Sequence, residues 1–422
     1  MGMFSKPTRT IDYIHILLMH LLNHLAMFTL PVVILYLRDD YQIDYTKTGI
    51  LWTALVVTNT LLSIFVGFYA DTHRNRRYRL IYLGISIMIA GWFLIPLASS
   101  FSLLIPIFVL IGVGASMFHP IAFTLITEMF EFDKGKALSY NMAIGMAGTA
   151  LAPLMFAKLV LFRGNYEKAI LTLAIIFALI VVLLLLFIWR KGTLERIDWR
   201  PVETQHIVSD NTDIWFLLSP LILVPLIFTS IRGSFFKTSS LFTALLYEDY
   251  LHLSKQQAAL ATAAVLGFSS LLVLLGGWIT DRFLPRVAII VSSIGTLVSA
   301  LGLVYLNDFS NFGIFSSFYF GLNAFYYIGS PAASALLANR TRPEQRGKLY
   351  GAVFSIGQVL SLGTPLAFGY INDNYGIRSA FFFILVLAAI AFVIGAYIYF
   401  EEKHRLQQPP QEESIEIRQK QV

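Results

Sequence analysis

Six side chains in this sequence could do chemistry in surroundings that otherwise offer almost none: His20, Asn23, His24, His119, Arg232 and Lys237. His20 and His24 lie four residues apart, so a helix would present both imidazoles on one face, with Asn23 beside them. Histidine, with an unperturbed pKa of about 6.5, can load and release a proton at physiological pH. His24 and His119 are therefore the candidate proton acceptors. A guanidinium stays charged at any relevant pH, which makes Arg232 a fixed cation suited to an anionic or polar ligand. Lys237 adds a second cation just beyond Arg232, and all six residues are candidate ligand contacts. The His20 and His24 pair also has metal-compatible spacing, but no carboxylate partners it in that stretch, so neither a metal site nor a cofactor is expected.

These groups matter because of what surrounds them. Apolar residues make up 57% of the chain and charged residues 13%, about half the usual charged share of about 25%. A helix needs about 20 apolar residues to cross the hydrocarbon of a bilayer. Twelve stretches meet that length: 11–37, 47–70, 78–98, 102–127, 137–160, 166–190, 214–246, 255–280, 287–306, 310–337, 348–371 and 377–400. A charge near mid-bilayer costs at least about 2.5 kcal/mol on insertion scales, so polar groups inside spans are functional suspects. Glu128, Glu131, Glu248 and Asp249 all fall at span ends. The interior therefore holds cations and neutral donors with almost no carboxylate, which favours an anionic or polar ligand over an organic cation. The formal charge of +6 does not point to nucleic acid, because the basic residues sit in short gaps between apolar runs and form no stripe. No Walker loop, nucleophile elbow or attached soluble domain supports an enzyme or a sensor.

A polar phrase occurs twice. Gly67, Asp71, Arg74, Arg76 and Arg77 follow the second span, and Gly277, Asp281, Arg282 and Arg286 follow the eighth, 210 residues later. Gly135 with Lys136 and Gly347 with Lys348 repeat at an offset of 212, as do Gly145 with Gly357 and Pro153 with Pro365. The chain thus reads as two parallel repeats of six helices. Residues 1–190 form the first bundle, 191–213 a cytoplasmic linker, 214–400 the second bundle and 401–422 a disordered tail. Lys and Arg gather on the side that holds both termini, which the positive-inside rule makes cytoplasmic. Gly148 joins Gly145 and Pro153 in the fifth span, a spacing that lets helices pack closely.

Twelve spans, a central linker and the doubled Gly-x-x-x-Asp turn resemble the major facilitator superfamily over almost the whole chain. Within it, the run Gly112-Val-Gly-Ala-Ser-Met-Phe-His119-Pro120, the Asn23 and His24 pair and Arg232 look most like the fosmidomycin-resistance branch of exporters. The glutamate and arginine common in that branch after Phe-His-Pro are absent here, with Ile121 and Thr124 in those stretches. The resemblance implies an all-α membrane protein of two pseudo-symmetric six-helix bundles, working by alternating access about a central site lined by spans one, four and seven. It implies a secondary transporter and no enzyme, with proton-linked export of a small organic solute as the leading expectation and uptake symport of an anionic or sugar-like metabolite as the alternative. Gly67, Asp71, Arg74, Arg76 and Arg77 would act as a conformational latch, with Gly277, Asp281 and Arg282 as its second copy. Asp71 is expected to be the stronger latch. The expected setting is a monomer in the lipid of a plasma membrane, in a bacterium the inner one.

Overall fold

A computed structural model describes residues 7–130, 134–190, 215–341 and 362–405. The expected linker, the tail beyond 405, Glu131 and most of the expected span 348–371 lie outside the described residues. Lipid cannot satisfy backbone N–H and C=O groups, so each apolar stretch pairs its own backbone as a helix. The helices are α1 (Pro7–Phe28), α2 (Leu30–Tyr41), α3 (Tyr45–Thr72), α4 (Arg77–Leu94), α5 (Phe101–Ala115), α6 (His119–Met129), α7 (Lys134–Arg163) and α8 (Tyr166–Arg190). The second half contains α9 (Pro220–Asp249), α10 (Lys255–Phe283), α11 (Pro285–Tyr305), α12 (Phe312–Asn339), α13 (Thr364–Tyr375) and α14 (Ile377–Arg405). Among the described residues, ten segments are long and apolar enough to cross a membrane. The 28-residue α12 and the described part of the eleventh span, within α13, complete the twelve-span arrangement. The last helix runs through Arg405, past the boundary at 400 read from the sequence.

Local chemistry sets several helix ends. Asp44 caps α3 by accepting from the Lys47 N–H at 2.6 Å, Ser254 and Gln257 form a capping box at the start of α10, and Asn311 caps α12. Among the described residues, spans one and four are interrupted. The first breaks at Thr29, just before Pro31, and joins α1 to α2. The fourth breaks at residues 116–118, just before Pro120, and joins α5 to α6. Proline removes a helical hydrogen bond and strands a carbonyl. At the second break Ser63 of α3 donates to the Ser116 carbonyl at 3.2 Å, so the break is satisfied from a neighbouring helix.

Each half packs mainly on itself, α1 against α7 and α3 against α5 in the first, α10 and α11 against α12 in the second. The halves meet along α3 with α13 and along α7 with α10. These two contacts are images of one another under the sequence repeat, since α3 corresponds to α10 and α7 to the eleventh span. The repeat read from four matched residues is thus a spatial symmetry that builds the interface.

Candidate functional site

The three histidines converge. His20 and His24 share one face of α1, and the break before α6 places His119 against them. Ring centroids lie 4.5 Å apart for His20 and His24, 5.2 Å for His20 and His119, and 5.7 Å for His24 and His119. His24 stands close to the middle of the span Thr10–Tyr41. His20 is 1% exposed and the other two are half-buried. His15, the remaining histidine of this span, stays out of the cluster and pairs with the Tyr82 hydroxyl of α4 at 3.0 Å.

Helix α7 makes the room. A Cβ at Gly145 would sit 2.7 Å from Cε1 and Nε2 of His20 and 3.2 Å from Cε1 of His24. At Gly148 it would meet His24 Cβ and the Leu21 carbonyl oxygen, both at 2.9 Å. The ring tips near Gly145 can rotate away, whereas the backbone near Gly148 cannot. Gly148→Ala is therefore expected to be the more damaging, by about 1–3 kcal/mol, and thermal unfolding of the detergent-solubilised variants checks the order. On the same helix, Thr149 Oγ1 donates to the Gly145 carbonyl at 3.3 Å and lies 3.0 Å from His24 Nδ1. The direction of the Thr149–His24 bond follows the imidazole tautomer: when Thr149 spends its proton on the Gly145 carbonyl it accepts from Nδ1, and the Nε2 lone pair is left available.

Asn23 is buried about 100° round α1 from His24, and its Nδ2 has no hydrogen-bond partner. Arg232 lies in the other half and is held there. It donates to Ser292 Oγ of α11 at 2.6 Å and to the carbonyls of Phe325 and Tyr326 of α12 at 2.6 and 3.0 Å. Phe228 and Tyr326 lie under the guanidinium at 5.2 and 5.9 Å. A Cβ at Gly329 would collide with both terminal nitrogens of Arg232, so that glycine makes space for the charge. Among the described residues no carboxylate pairs with Arg232. Lys237 is half-buried on α9, about 7.5 Å further along the helix axis than Arg232.

The first copy of the doubled turn centres on Arg77. Its side chain is 3% exposed and reaches Glu128 at 2.7 Å, Asp71 at 3.4 Å and the Ala70 carbonyl at 3.0 Å. Asp71 is 67% exposed, Arg74 and Arg76 are exposed, and a Cβ added at Gly67 would lie 3.8 Å from Pro120 Cβ, next to the break in span four. In the second copy Asp281 and Arg282 are exposed and Gly277 faces open space. In this conformation the described ion pairs of the turn stay within the first half.

The opposite end of the bundle does bridge the halves, through residues not singled out in the sequence. Arg38 of α2 pairs with Asp249 at 2.6 Å and Glu248 at 3.4 Å, and Lys255 pairs with Asp39 at 2.7 Å. The Tyr45 hydroxyl donates to Asp249 at 2.9 Å. Asp373 of α13 accepts from the Thr46 N–H at 2.6 Å and the Tyr45 N–H at 3.3 Å, so one half caps a helix of the other. A usable signal was present: Arg38 lies 210 and 211 residues from Glu248 and Asp249, the repeat offset itself. Residues near a pseudo-twofold axis meet their own counterparts.

Comparison with known proteins gives a concordant picture. The model of the Major Facilitator Superfamily matches residues 16–325 and 226–421. An uncharacterized MFS-type transporter of Bacillus subtilis, YfnC, is 25% identical over 413 residues, covering 95% of this chain and 97% of its own. The fosmidomycin resistance protein of Escherichia coli is 26% identical over 291 residues, covering 68% and 69%. Among solved structures, a bacterial homologue of the human lysosomal transporter Spinster, inward-facing and occupied, superposes with a TM-score of 0.76 at 16% identity, over 96% of this chain and all of that one.

Proposed function

The chain belongs to the Major Facilitator Superfamily of secondary transporters, and on that premise we propose that it exports a polar or anionic organic solute in exchange for protons. The observation that carries this reading is the convergence of His20, His24 and His119 in mid-span, beside the break in span four and in the helix that precedes the break in span one. Broken helices place polar groups and backbone at membrane depth where a solute and a coupling ion can meet them. His24 and His119 are the proton acceptors in this scheme, and Asn23 lies beside them. Arg232 and Lys237 supply positive charge from the other half. Arg232 has no described carboxylate to neutralise it, which supports an anionic or polar solute over a cationic one.

Bundles at 1–190 and 214–400 rock against each other as a monomer in a plasma membrane, with both termini cytoplasmic. In that orientation the Arg38 end is external. Its ion pairs seal the outside in this conformation, while the doubled turn at the cytoplasmic end is unlatched. Asp71 and, more weakly, Asp281 would engage the other half once the outside opens.

Proteoliposomes with an imposed pH gradient test the scheme, loaded in turn with organic anions, phosphonates, sugars and cationic drugs. Fosmidomycin comes first because it stands in the name of a relative. Gradient-driven flux of an anionic or polar solute is expected, with the response abolished in the His24→Gln, His119→Gln double variant. Flux confined to cationic drugs, or flux in the double variant that follows the gradient as the wild type does, sinks the proposal.

A further inference from the structure

The histidine cluster contains a feature that proton exchange alone does not use. His20 is 1% exposed, yet neither ring nitrogen makes a hydrogen bond of acceptable geometry. Asn141, fully buried, is the polar group that approaches it, from both side chain and backbone, without forming a well-aligned hydrogen bond. Buried polar atoms left unpaired are costly and call for an explanation. One nitrogen from each of His20, His24 and His119 can be chosen so that the three lie within 4.8 Å of one another.

We infer that these three imidazoles form a binding site for a late first-row divalent metal ion of the zinc type, with a fourth position open to an anionic oxygen or a water. Imidazole nitrogen is a preferred ligand of such ions, and three protein ligands with one open position is the pattern of reactive zinc sites. Metal–nitrogen bonds of about 2.0–2.1 Å in a tetrahedron bring the nitrogens to about 3.4 Å from each other. The rings must therefore close by roughly 1.4 Å, within reach of side-chain rotation on the glycine-lined wall of α7. His24 is already oriented for it. In the tautomer with the proton on Nδ1, that proton goes to Thr149, which in turn donates to the Gly145 carbonyl, and Nε2 is then the ligating atom. Such outer hydrogen bonds fix the ring and raise its basicity toward the metal. Spacing in the sequence could not reveal the third ligand, because His119 is 95 residues from His24 and joins it only through packing. Three neutral ligands leave the dication uncompensated, and the open position is where an anion would settle. The metal takes the lone pairs that a proton would take, so the two compete. The inference itself needs neither a direction of transport nor a proton as coupling ion.

Co2+ titration of purified protein reads the site directly, using detergent-solubilised, EDTA-stripped full-length chain without a polyhistidine tag. One equivalent is expected to bind with the intense visible bands of a tetrahedral ion, and Zn2+ should displace it. His20→Gln, His24→Gln and His119→Gln should each weaken binding at least 100-fold. Thr149→Val should weaken it about tenfold, and His73→Gln, at a half-buried histidine outside the cluster, should leave it unchanged. Each variant must match the wild type in size-exclusion profile to count; the wild-type spectrum stands as a test without them. Absence of a tetrahedral Co2+ spectrum in the wild type overturns the inference. So does binding that survives all three cluster substitutions, or that disappears with His73→Gln, since an adventitious surface site would then be responsible. If Co2+ does not bind while a pH gradient still drives flux, the metal site fails and the transport scheme stands. The reverse pair of results separates them the other way.

Discussion

Arg38→Glu is expected to reduce transport by tenfold or more and to leave the protein open at the Arg38 end. Arg38 faces Asp249 at 2.6 Å and Glu248 at 3.4 Å across the junction of the halves. Reversal turns two attractions into repulsions, each worth about 4 kcal/mol at 4 Å and an effective dielectric of 20. The side chains retain between 22% and 27% of their exposure, so solvent screening reduces the net effect to about 2 kcal/mol. That still shifts the balance between conformations roughly 30-fold, and a transporter held in one state turns over slowly. The chain has no cysteine, so a single Thr53→Cys on the α3 interface, whose native hydroxyl donates to the Leu362 carbonyl, can report accessibility to an impermeant maleimide. Labelling from the Arg38 end should rise in Arg38→Glu and fall again in the reciprocal swap Arg38→Asp with Asp249→Arg. If the swap recovers neither labelling nor flux, the pair is not a gate.

Arg77→Ala should be the most destabilising change at the doubled turn, by about 2 kcal/mol, and should exceed Asp71→Asn several-fold. Removing one member of a buried ion pair costs about 3–5 kcal/mol when the partner is left buried. Here Glu128 retains 37% exposure and can recover some hydration, which places the loss below that range. Asp71 is 67% exposed and 3.4 Å from Arg77, the setting of a surface pair worth about 0–1 kcal/mol. Thermal unfolding in detergent measures the order. Flux measured alongside separates the two roles, because a latch residue slows transport without lowering the unfolding temperature. Equal destabilisation by the two variants would show that Arg77 is not the hub its contacts describe.

Much of the molecule is legible in its sequence. Apolar length alone placed the helices within a few residues, because lipid leaves a chain no alternative to pairing its own backbone. The seventh span is the exception worth noting. It begins at Pro220 and not at 214, since the Trp215–Leu218 turn that precedes it is apolar but ends at Ser219 and Pro220. The candidate site was half legible. An i, i+4 pair is a local feature of one helix, so His20 and His24 could be grouped by counting. Arg232 was also visible as one of two cations in an apolar stretch, but its satisfaction by Ser292 and two α12 carbonyls was not.

What the sequence by itself determined is which segments lie in lipid and that the chain is a repeat of itself. Tertiary structure alone decided which polar groups meet across separate helices. It brought His119 to the α1 pair, buried Arg77 while leaving Asp71 in solvent, and set Arg38 against its repeat counterparts so that ion pairs bridge the halves at one end. The physical reason is that lipid solvates every apolar face about equally well, so the apolar pattern says that a helix is in the membrane without saying which helix it touches. That choice falls to close-approach glycines, paired charges and stranded carbonyls, whose partners lie tens to hundreds of residues away.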